Sequence, residues 1–321
     1  MEMSRLEIKL RTLSLRTPLL TSSGTSGTTN ELSSLKNSKI VLKSLGAFVT
    51  KGVTLKPRQG NPELRVVETR TGLLNSIGLQ NSGAKVFMKE ELPKLLFYRL
   101  PIIVNISASS IKEFGALSAY LMENDDNAII SGLEINVSCP NVDAGGAAFG
   151  IDPKIVEKVV KVVRKSIRKD VLIITKLTPN VTDITIPAKG AINGGTDVLS
   201  MINTLRAMAI NIRTEDCYLG NKTGGLSGPA IKPVGVYMVY ECFRSIPECR
   251  NRRIPIIGIG GISNWEDALE YIMAGASAVA IGTAWFVNSN VFEEVRRGLE
   301  KYCEDENTTI AKKIGCIHGR R

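Results

Sequence analysis

Short apolar runs recur along the chain, with helical patterns between them. Two short alternating segments come first, at residues 6–10 and 13–15, and they predict an N-terminal β-hairpin. Eight apolar runs follow, and each is continuous rather than alternating, which is typical of parallel strands buried on both faces. The predicted strands are residues 18–22, 47–51, 102–106, 132–137, 171–177, 198–203, 256–260 and 278–282.

Amphipathic segments separate these strands. Residues 155–167 place four valines on one helical stripe and set lysines and arginines opposite, and residues 265–274 and 291–302 behave similarly. Eight strands alternating with helices predict an α/β fold, a (β/α)8 TIM barrel that forms one domain over residues 1–321. A doubly wound sheet is the alternative, although no GxGxxG follows the first strand.

Three long loop insertions fall after predicted strands two, four and six, at residues 52–83, 138–153 and 204–229. In a barrel these loops lie at the C-terminal face, where active sites form. They also contain most of the unusual polar residues. The sequence therefore predicts the functional site at this face.

Composition narrows the class of protein. Hydrophobic residues are 43% and charged residues 22%, as in folded globular proteins, and no apolar run is long enough for a membrane span. The net charge of +10 is scattered through helical segments, so we expect no nucleic-acid partner. The N-terminus lacks the pattern of a signal peptide, and we expect a cytoplasmic protein.

Histidine chemistry is almost excluded, because the only histidine, His318, lies three residues from the end of the chain. Proton transfer must then fall to Cys, Lys, Tyr, Asp or Glu. The six cysteines contain no CxxC pair, so we expect no metal site and no iron–sulfur cluster within this chain.

Cys139 is the leading candidate for a general base. It lies between two asparagines at the end of the fourth predicted strand, and the proline and glycines that follow suggest a mobile loop over a cleft. The alternative is a buried thiol near a turn.

Two lysines, Lys51 and Lys176, end apolar runs in which a buried ammonium would be costly without a partner. They can reach solvent at a strand end, or point their charge at a bound anionic group such as a reduced flavin.

Asparagines and glycines complete the pattern at the strand ends. Asn75, Asn105, Asn136, Asn141 and Asn203 offer donors and acceptors that suit a planar heterocycle, although a single such asparagine is more often a turn former. The glycine-rich ends of the last two strands, at residues 258–262 and 281–284, suit a phosphate.

Read together, these residues resemble the class 1 dihydroorotate dehydrogenases, which are FMN-dependent barrels of pyrimidine synthesis. The resemblance extends from about residue 18 to residue 286. The Ser-Cys-Pro at residues 138–140 is similar to class 1, whereas class 2 enzymes have serine as the base. The motif at residues 223–233 looks most like the two-subunit class 1B form. The motifs are residues 71–81 (TGLLNSIGLQN), 136–141 (NVSCPN), 176–180 (KLTPN), 201–204 (MINT) and 223–233 (TGGLSGPAIKP).

The resemblance implies a mechanism and a set of site residues. Cys139 would take the C5 proton of dihydroorotate while hydride passes from C6 to flavin N5, and Lys51 would act beside both substrate and flavin. The implied substrate-binding residues are Lys51, Asn75, Ile77, Gly78, Leu79, Asn136, Asn141, Asn203 and Thr204. The implied FMN-binding residues are Ser23, Gly24, Lys51, Asn105, Asn136, Lys176, Ile202, Gly228, Gly260, Gly261, Gly282 and Thr283.

The resemblance also implies partners. Class 1 relatives are homodimers, and class 1B enzymes pass electrons to a subunit carrying FAD and an iron–sulfur cluster, then to NAD. Two alternatives remain: a dihydropyrimidine dehydrogenase-type activity on uracil-like bases, and a non-catalytic flavin-binding subunit. Dihydropyrimidine dehydrogenase-type enzymes typically have histidine at the position that Asn141 occupies here. The basic tail, with Cys303, Cys316 and His318, matches none of the motifs.

Overall fold

Eight parallel strands form the centre of the molecule. The computed structural model describes residues 4–27, 38–138 and 149–319. In the central sheet the strand order is β3-β16-β15-β10-β9-β8-β7-β4. These strands are β3 (Leu19–Thr21), β4 (Phe48–Val49), β7 (Ile102–Ile106), β8 (Ile130–Asn136), β9 (Leu172–Lys176), β10 (Val198–Met201), β15 (Ile256–Ile259) and β16 (Ala278–Ile281).

A narrow seam between β3 and β4 closes the sheet into a barrel. Leu20 forms a parallel bridge with Ala47, and the Gly46 N–H donates to the Leu19 carbonyl at 2.8 Å. The Thr21 hydroxyl donates to the Val49 carbonyl at 2.9 Å and accepts from the Val49 N–H at 2.8 Å. A side chain therefore supplies contacts that backbone groups supply elsewhere in the barrel.

The predicted (β/α)8 barrel is confirmed, and each of the eight predicted apolar runs overlaps one barrel strand. Every residue of β7 and β9 is buried, as expected for strands covered on both faces. The hairpin is confirmed as well, since β1 (Ile8–Leu10) pairs antiparallel with β2 (Leu13–Leu15). Most of these strands are one to three residues shorter than predicted, whereas β8 begins two residues earlier than predicted.

Helices cover the outside of the barrel. The helix predicted at 155–167 begins earlier, at Pro153, because the Asp152 side chain accepts from the Lys154 N–H at 2.8 Å and proline suits the first turn. A π-helical turn, Phe87–Glu91, joins the short helices Ala84–Val86 and Leu92–Leu95. The α-helices are α1 (Ser38–Ser44), α2 (Ala84–Val86), α3 (Leu92–Leu95), α4 (Ile111–Glu123), α5 (Pro153–Lys165), α6 (Thr185–Gly194), α7 (Lys232–Ser245), α8 (Pro247–Arg250), α9 (Trp265–Ala274), α10 (Ala284–Val287), α11 (Val291–Asp305) and α12 (Ile310–Lys313).

Two of the three long insertions are not loops throughout. They form a four-stranded antiparallel sheet in the order β11 (Leu205–Met208), β14 (Thr223–Ser227), β6 (Gly72–Asn75) and β5 (Val66–Thr69), and a two-stranded ribbon extends from it. Most of the remaining insertion, residues 138–153, lies outside the described residues, which omit 139–148. The additional strands are β5 (Val66–Thr69), β6 (Gly72–Asn75), β11 (Leu205–Met208), β12 (Ile210–Asn211), β13 (Asp216–Cys217) and β14 (Thr223–Ser227).

The basic tail packs against the outer helices. The His318 ring stacks on Tyr240 with centroids 4.4 Å apart, and its Nε2 lies 2.9 Å from the Ala274 carbonyl. Cys303 is buried and Cys316 is half-buried. Across the described ranges, none of the helices combines the length and apolar character needed to cross a membrane.

Candidate active site

Every barrel strand carries a predicted site residue at its carboxyl end. In a barrel these ends face one side, so the structure gathers the residues around one opening. Asn105 is the next-to-last residue of β7, Asn136 and Lys176 end β8 and β9, and the others follow their strands. The set, one residue for each strand, is Ser23, Lys51, Asn105, Asn136, Lys176, Asn203, Gly260 and Thr283.

Lys176 is buried at this opening, with 4% of its surface exposed. Its ammonium lies 3.3 Å from the Ser23 hydroxyl and 4.0 Å from the Glu134 carboxylate. Glu134 accepts from the Asn105 amide at 2.7 Å and from the Ser200 hydroxyl at 2.9 Å. An ammonium has three donors, and the described residues accept from only one of them, which leaves capacity for an anionic ligand.

Asparagines line the next part of the opening. The Asn203 amide nitrogen lies 3.3 Å from Asn136 Oδ1, and the Thr204 N–H donates to Asn203 Oδ1 at 2.8 Å. Asn75, at the end of β6, donates to the Gly225 carbonyl at 3.1 Å, and a Cβ on Gly225 would lie 2.0 Å from Thr204 Oγ1. Four predicted substrate-binding residues therefore form one connected group.

Glycines build the neighbouring part of the opening, since β10 pairs with β15 and β6 pairs with β14. Gly228, Gly260 and Gly261 have φ values of 94°, 124° and 69°, which favour glycine. A Cβ on Gly261 would lie 2.8 Å from the Gly228 carbonyl, so these turns touch. Within the described residues, the N–H groups of Gly261 and Thr283 make no hydrogen bond, and they remain free to donate.

The same turns contact other predicted cofactor residues. The Thr283 hydroxyl donates to Ser227 Oγ at 2.8 Å. A Cβ on Gly260 would lie 3.4 Å from the Ile202 side chain, and one on Gly282 would lie 3.3 Å from Ser22. Among the residues that the structure describes, a Cβ on Gly24 would meet nothing within 4 Å.

Two further residues, Tyr271 and Lys232, contact these glycine turns, and neither has a role predicted from the sequence. Tyr271 is fully buried, donates to the Gly260 carbonyl at 2.8 Å, and has a pKa raised by burial. The Lys232 ammonium donates to Asp267 at 2.7 Å and to Glu270 at 2.9 Å. Burial lowers the pKa of Lys232, but these bonds outweigh it and the pKa is raised.

Lys51 and Gly52 border a small cavity of about 80 Å³, which Asn81 and Glu91 also line. Leu79 reaches this region, 3.8 Å from the position of a Cβ on Gly52.

Ile77 and Gly78 instead pack against Asn61, whose N–H donates to the Ile77 carbonyl at 3.1 Å. No hydrogen bond within the described residues joins them to the asparagine group.

Cys139 and Asn141 lie outside the described residues, so their predicted roles stay predictions. The last described residue before them, Ser138, donates its N–H to Asn136 Oδ1 at 3.1 Å. Burial raises the pKa of three described thiols, those of Cys242, Cys249 and Cys303, and for Cys249 it raises the pKa to about 12. These thiols therefore stay protonated at neutral pH and cannot accept a proton.

Metal-binding groups do not gather in the described ranges: no three His, Cys, Asp or Glu side chains there could hold a metal ion together.

A family model and the most similar curated proteins carry the same enzyme name. A family model described as dihydroorotate dehydrogenase matches residues 5–303. A protein of Thermoanaerobacter sp. is 48% identical over 297 residues, which are 92% of this chain and 93% of the relative. A protein of Caldicellulosiruptor bescii is 45% identical over 98% of this chain and 99% of its own, and one of Pelobacter propionicus is 44% identical over 97% of both. All three are named dihydroorotate dehydrogenase B (NAD(+)), catalytic subunit.

Proposed function

Since the chain belongs to the dihydroorotate dehydrogenase family, a family of flavin-dependent oxidoreductases, we propose that it oxidises (S)-dihydroorotate to orotate in pyrimidine biosynthesis, with FMN as its flavin. The observation that carries the proposal is the buried Lys176 ammonium with spare donors at the barrel opening. Such a charge stabilises the anionic edge of a reduced flavin.

The residues at the opening fit FMN. The space that the described residues leave beside Gly24 suits a flat ring system, since a Cβ there would meet none of their atoms within 4 Å. The free N–H groups of Gly261 and Thr283 suit a phosphate, because glycine turns let a ligand approach the backbone. The proposed FMN-binding residues are Ser23, Gly24, Lys51, Asn105, Asn136, Lys176, Ile202, Gly228, Gly260, Gly261, Gly282 and Thr283.

The chain's own residues bind the substrate and move a proton. Asn75, Asn136, Asn203 and Thr204 would hold the pyrimidine ring and its carboxylate through the donors and acceptors of one connected group. A bound flavin would supply the hydride acceptor for C6 of dihydroorotate. Cys139 would take the C5 proton from the opposite face of the substrate ring.

Lys51, Asn141, Ile77, Gly78 and Leu79 complete the proposed substrate site. Lys51 would serve substrate and flavin together, since it follows the seam strand β4 at the opening.

Relatives support a partner protein. Their name, catalytic subunit of a type B (NAD(+)) enzyme, supports a second, electron-transfer subunit here. We propose that it carries FAD and an iron–sulfur cluster, and that this chain forms a homodimer. Action on uracil-like bases is not favoured, because the relatives carry the dihydroorotate name.

Anaerobic mixing of the flavin-loaded protein with dihydroorotate tests this function. We expect the visible absorbance of the oxidised flavin to bleach as orotate forms. Dihydrouracil, which lacks the carboxylate, is the matched control and should bleach the flavin far more slowly. Equal bleaching by both compounds, or none by dihydroorotate, would contradict the proposal.

The Cys139→Ala variant tests the proposed base. Removing only the thiol should leave the flavin spectrum intact and slow bleaching by dihydroorotate by about 10²–10⁴-fold, the usual contribution of a positioned base. Cys217→Ala, at a half-buried thiol on the two-stranded ribbon, is the control and should bleach at the normal rate. A Cys139→Ala variant that bleaches at full speed would remove Cys139 from the mechanism.

A further inference from the structure

Glu134 is a buried carboxylate at the barrel opening to which sequence reasoning assigned no role. It lies in β8 and is 2% exposed. It contacts three other strands: it accepts from Asn105 on β7 and Ser200 on β10, and lies 4.0 Å from the Lys176 ammonium on β9. Burying a charge this deeply is unfavourable unless partners compensate for it.

The distance between Glu134 and Lys176 is informative. At 4.0 Å the two groups form an ion pair without a short hydrogen bond, so Lys176 keeps its donors for another acceptor. The surroundings exclude water, so the carboxylate's field is screened far less than it would be in solvent. Glu134 therefore weakens the positive potential that Lys176 presents to a ligand.

Glu134 also fixes the orientation of the Asn105 amide. Because the amide nitrogen donates to Glu134, the amide oxygen points away from it. That oxygen lies 3.1 Å from the position of a Cβ on Gly52, beside Lys51. The carboxylate thus selects which end of the amide lies beside Gly52.

We propose that Glu134 is a positioning residue that sets the reduction potential of the bound flavin. It offsets part of the Lys176 charge and keeps the Asn105 amide in one orientation. The bound flavin is consequently harder to reduce than Lys176 alone would make it. The inference rests on the proposed function, because it requires a flavin beside Lys176.

The test is the midpoint potential of the bound flavin, measured by equilibration with redox dyes. Glu134→Gln removes the charge and keeps the size, and it should move the potential in the positive direction. We expect at least a tenfold change in the ratio of reduced to oxidised flavin, equivalent to about 30 mV for a two-electron couple. Glu134→Asp keeps the charge and should restore a potential close to that of the unaltered protein.

Ser200→Ala is the matched control, since it removes a neutral partner of the same carboxylate without changing any charge. A merely structural role for Glu134 predicts similar, small shifts in Glu134→Gln and Ser200→Ala. An unchanged or more negative potential in Glu134→Gln would overturn the proposal.

A second comparison keeps the proposal testable if the Glu134→Gln variant does not fold. Lys176→Met leaves the buried carboxylate without its cation, whereas the double variant Lys176→Met/Glu134→Gln buries no charge in this pair. The double variant should have the more positive potential of the two, and equal potentials would refute the proposal. Dye equilibration uses no dihydroorotate, so failure here is distinguishable from failure of the proposed reaction.

Discussion

Gly24 shows how one residue can separate cofactor binding from folding. It follows the first barrel strand, and an added Cβ would meet no atom of the described residues within 4 Å. The protein itself therefore has room for a side chain at this position. If the flavin ring occupies the space, only the flavin-loaded protein should be affected by a methyl group there.

We expect Gly24→Ala to leave the free energy of unfolding of the flavin-free protein unchanged within about 0.5 kcal/mol. Flavin affinity should fall, because overpacking costs about 1–3 kcal/mol and each 1.4 kcal/mol is tenfold in affinity. Urea unfolding and flavin titration measure the two effects.

Gly319→Ala is the control for Gly24→Ala, since a Cβ there also meets nothing within 4 Å but lies in the tail. It should change neither quantity. Unchanged flavin affinity in Gly24→Ala would show that the ring lies elsewhere.

Single residues also show what sequence reasoning could find. Lys176 was identified because an ammonium in an apolar run is costly, and the same argument applies to Glu134, whose neighbours in sequence are apolar. Tyr271 offered no such signal. Its contact with Gly260 depends on how α9 packs against the end of β15, which periodicity does not specify.

The secondary-structure elements differ in how far sequence predicts them. The barrel strands are buried on both faces and read as continuous apolar runs, whereas β6 and β14 are half-buried and rich in glycine. Glycine has low strand propensity, but here it permits close approach: a Cβ on Gly72 would lie 1.9 Å from the Ser227 carbonyl. The same glycines that obscured these strands make their pairing possible.

Glu293 connects two helices that are distant in sequence. It lies on α11, accepts from the Ser44 hydroxyl of α1 at 2.7 Å, and also binds Arg296 and Arg297. The hydrogen bond from Arg296, helped by the one from Ser44, lowers the pKa of Glu293 from 4.5 to about 2 despite partial burial. The stability that this shift contributes is present above pH 4.5 and is lost as the pH falls through about 2.

We therefore expect Glu293→Gln to lower the free energy of unfolding by about 1 kcal/mol at neutral pH. The difference from the unaltered protein should shrink as the pH falls from 4.5 towards 2. Urea unfolding across this range measures it.

Asp305→Asn is the control for Glu293→Gln, because its pair with Lys301 on the same helix is exposed. That variant should change stability little at any pH. A pH-independent loss in Glu293→Gln would mean that the ionised carboxylate contributes nothing.

At the scale of the whole molecule, the barrel closes where its strands are shortest. Sequence periodicity predicts eight strands, but it does not show that the first and second meet, because closure depends on one bridge and a few hydrogen bonds between their ends. The seam also connects fold and site: Ser23 and Lys51 each lie two residues beyond the Thr21–Val49 contact. The geometry of the opening should depend on this contact.

Thr21→Val tests that dependence, since it keeps the shape of the side chain and removes the hydroxyl. It leaves the buried Val49 N–H without its acceptor, which should cost about 1–3 kcal/mol of stability. Thr196→Val is the matched control: Thr196 is also buried, with its hydroxyl 2.9 Å from the Val198 carbonyl, but it precedes β10 at the opposite end of the barrel. Both variants should lose similar stability in urea unfolding, whereas only Thr21→Val should also weaken flavin binding, because the strand ends carrying Ser23 and Lys51 would separate. Equal flavin affinity in the two variants would mean that the seam stabilises the barrel without shaping its site.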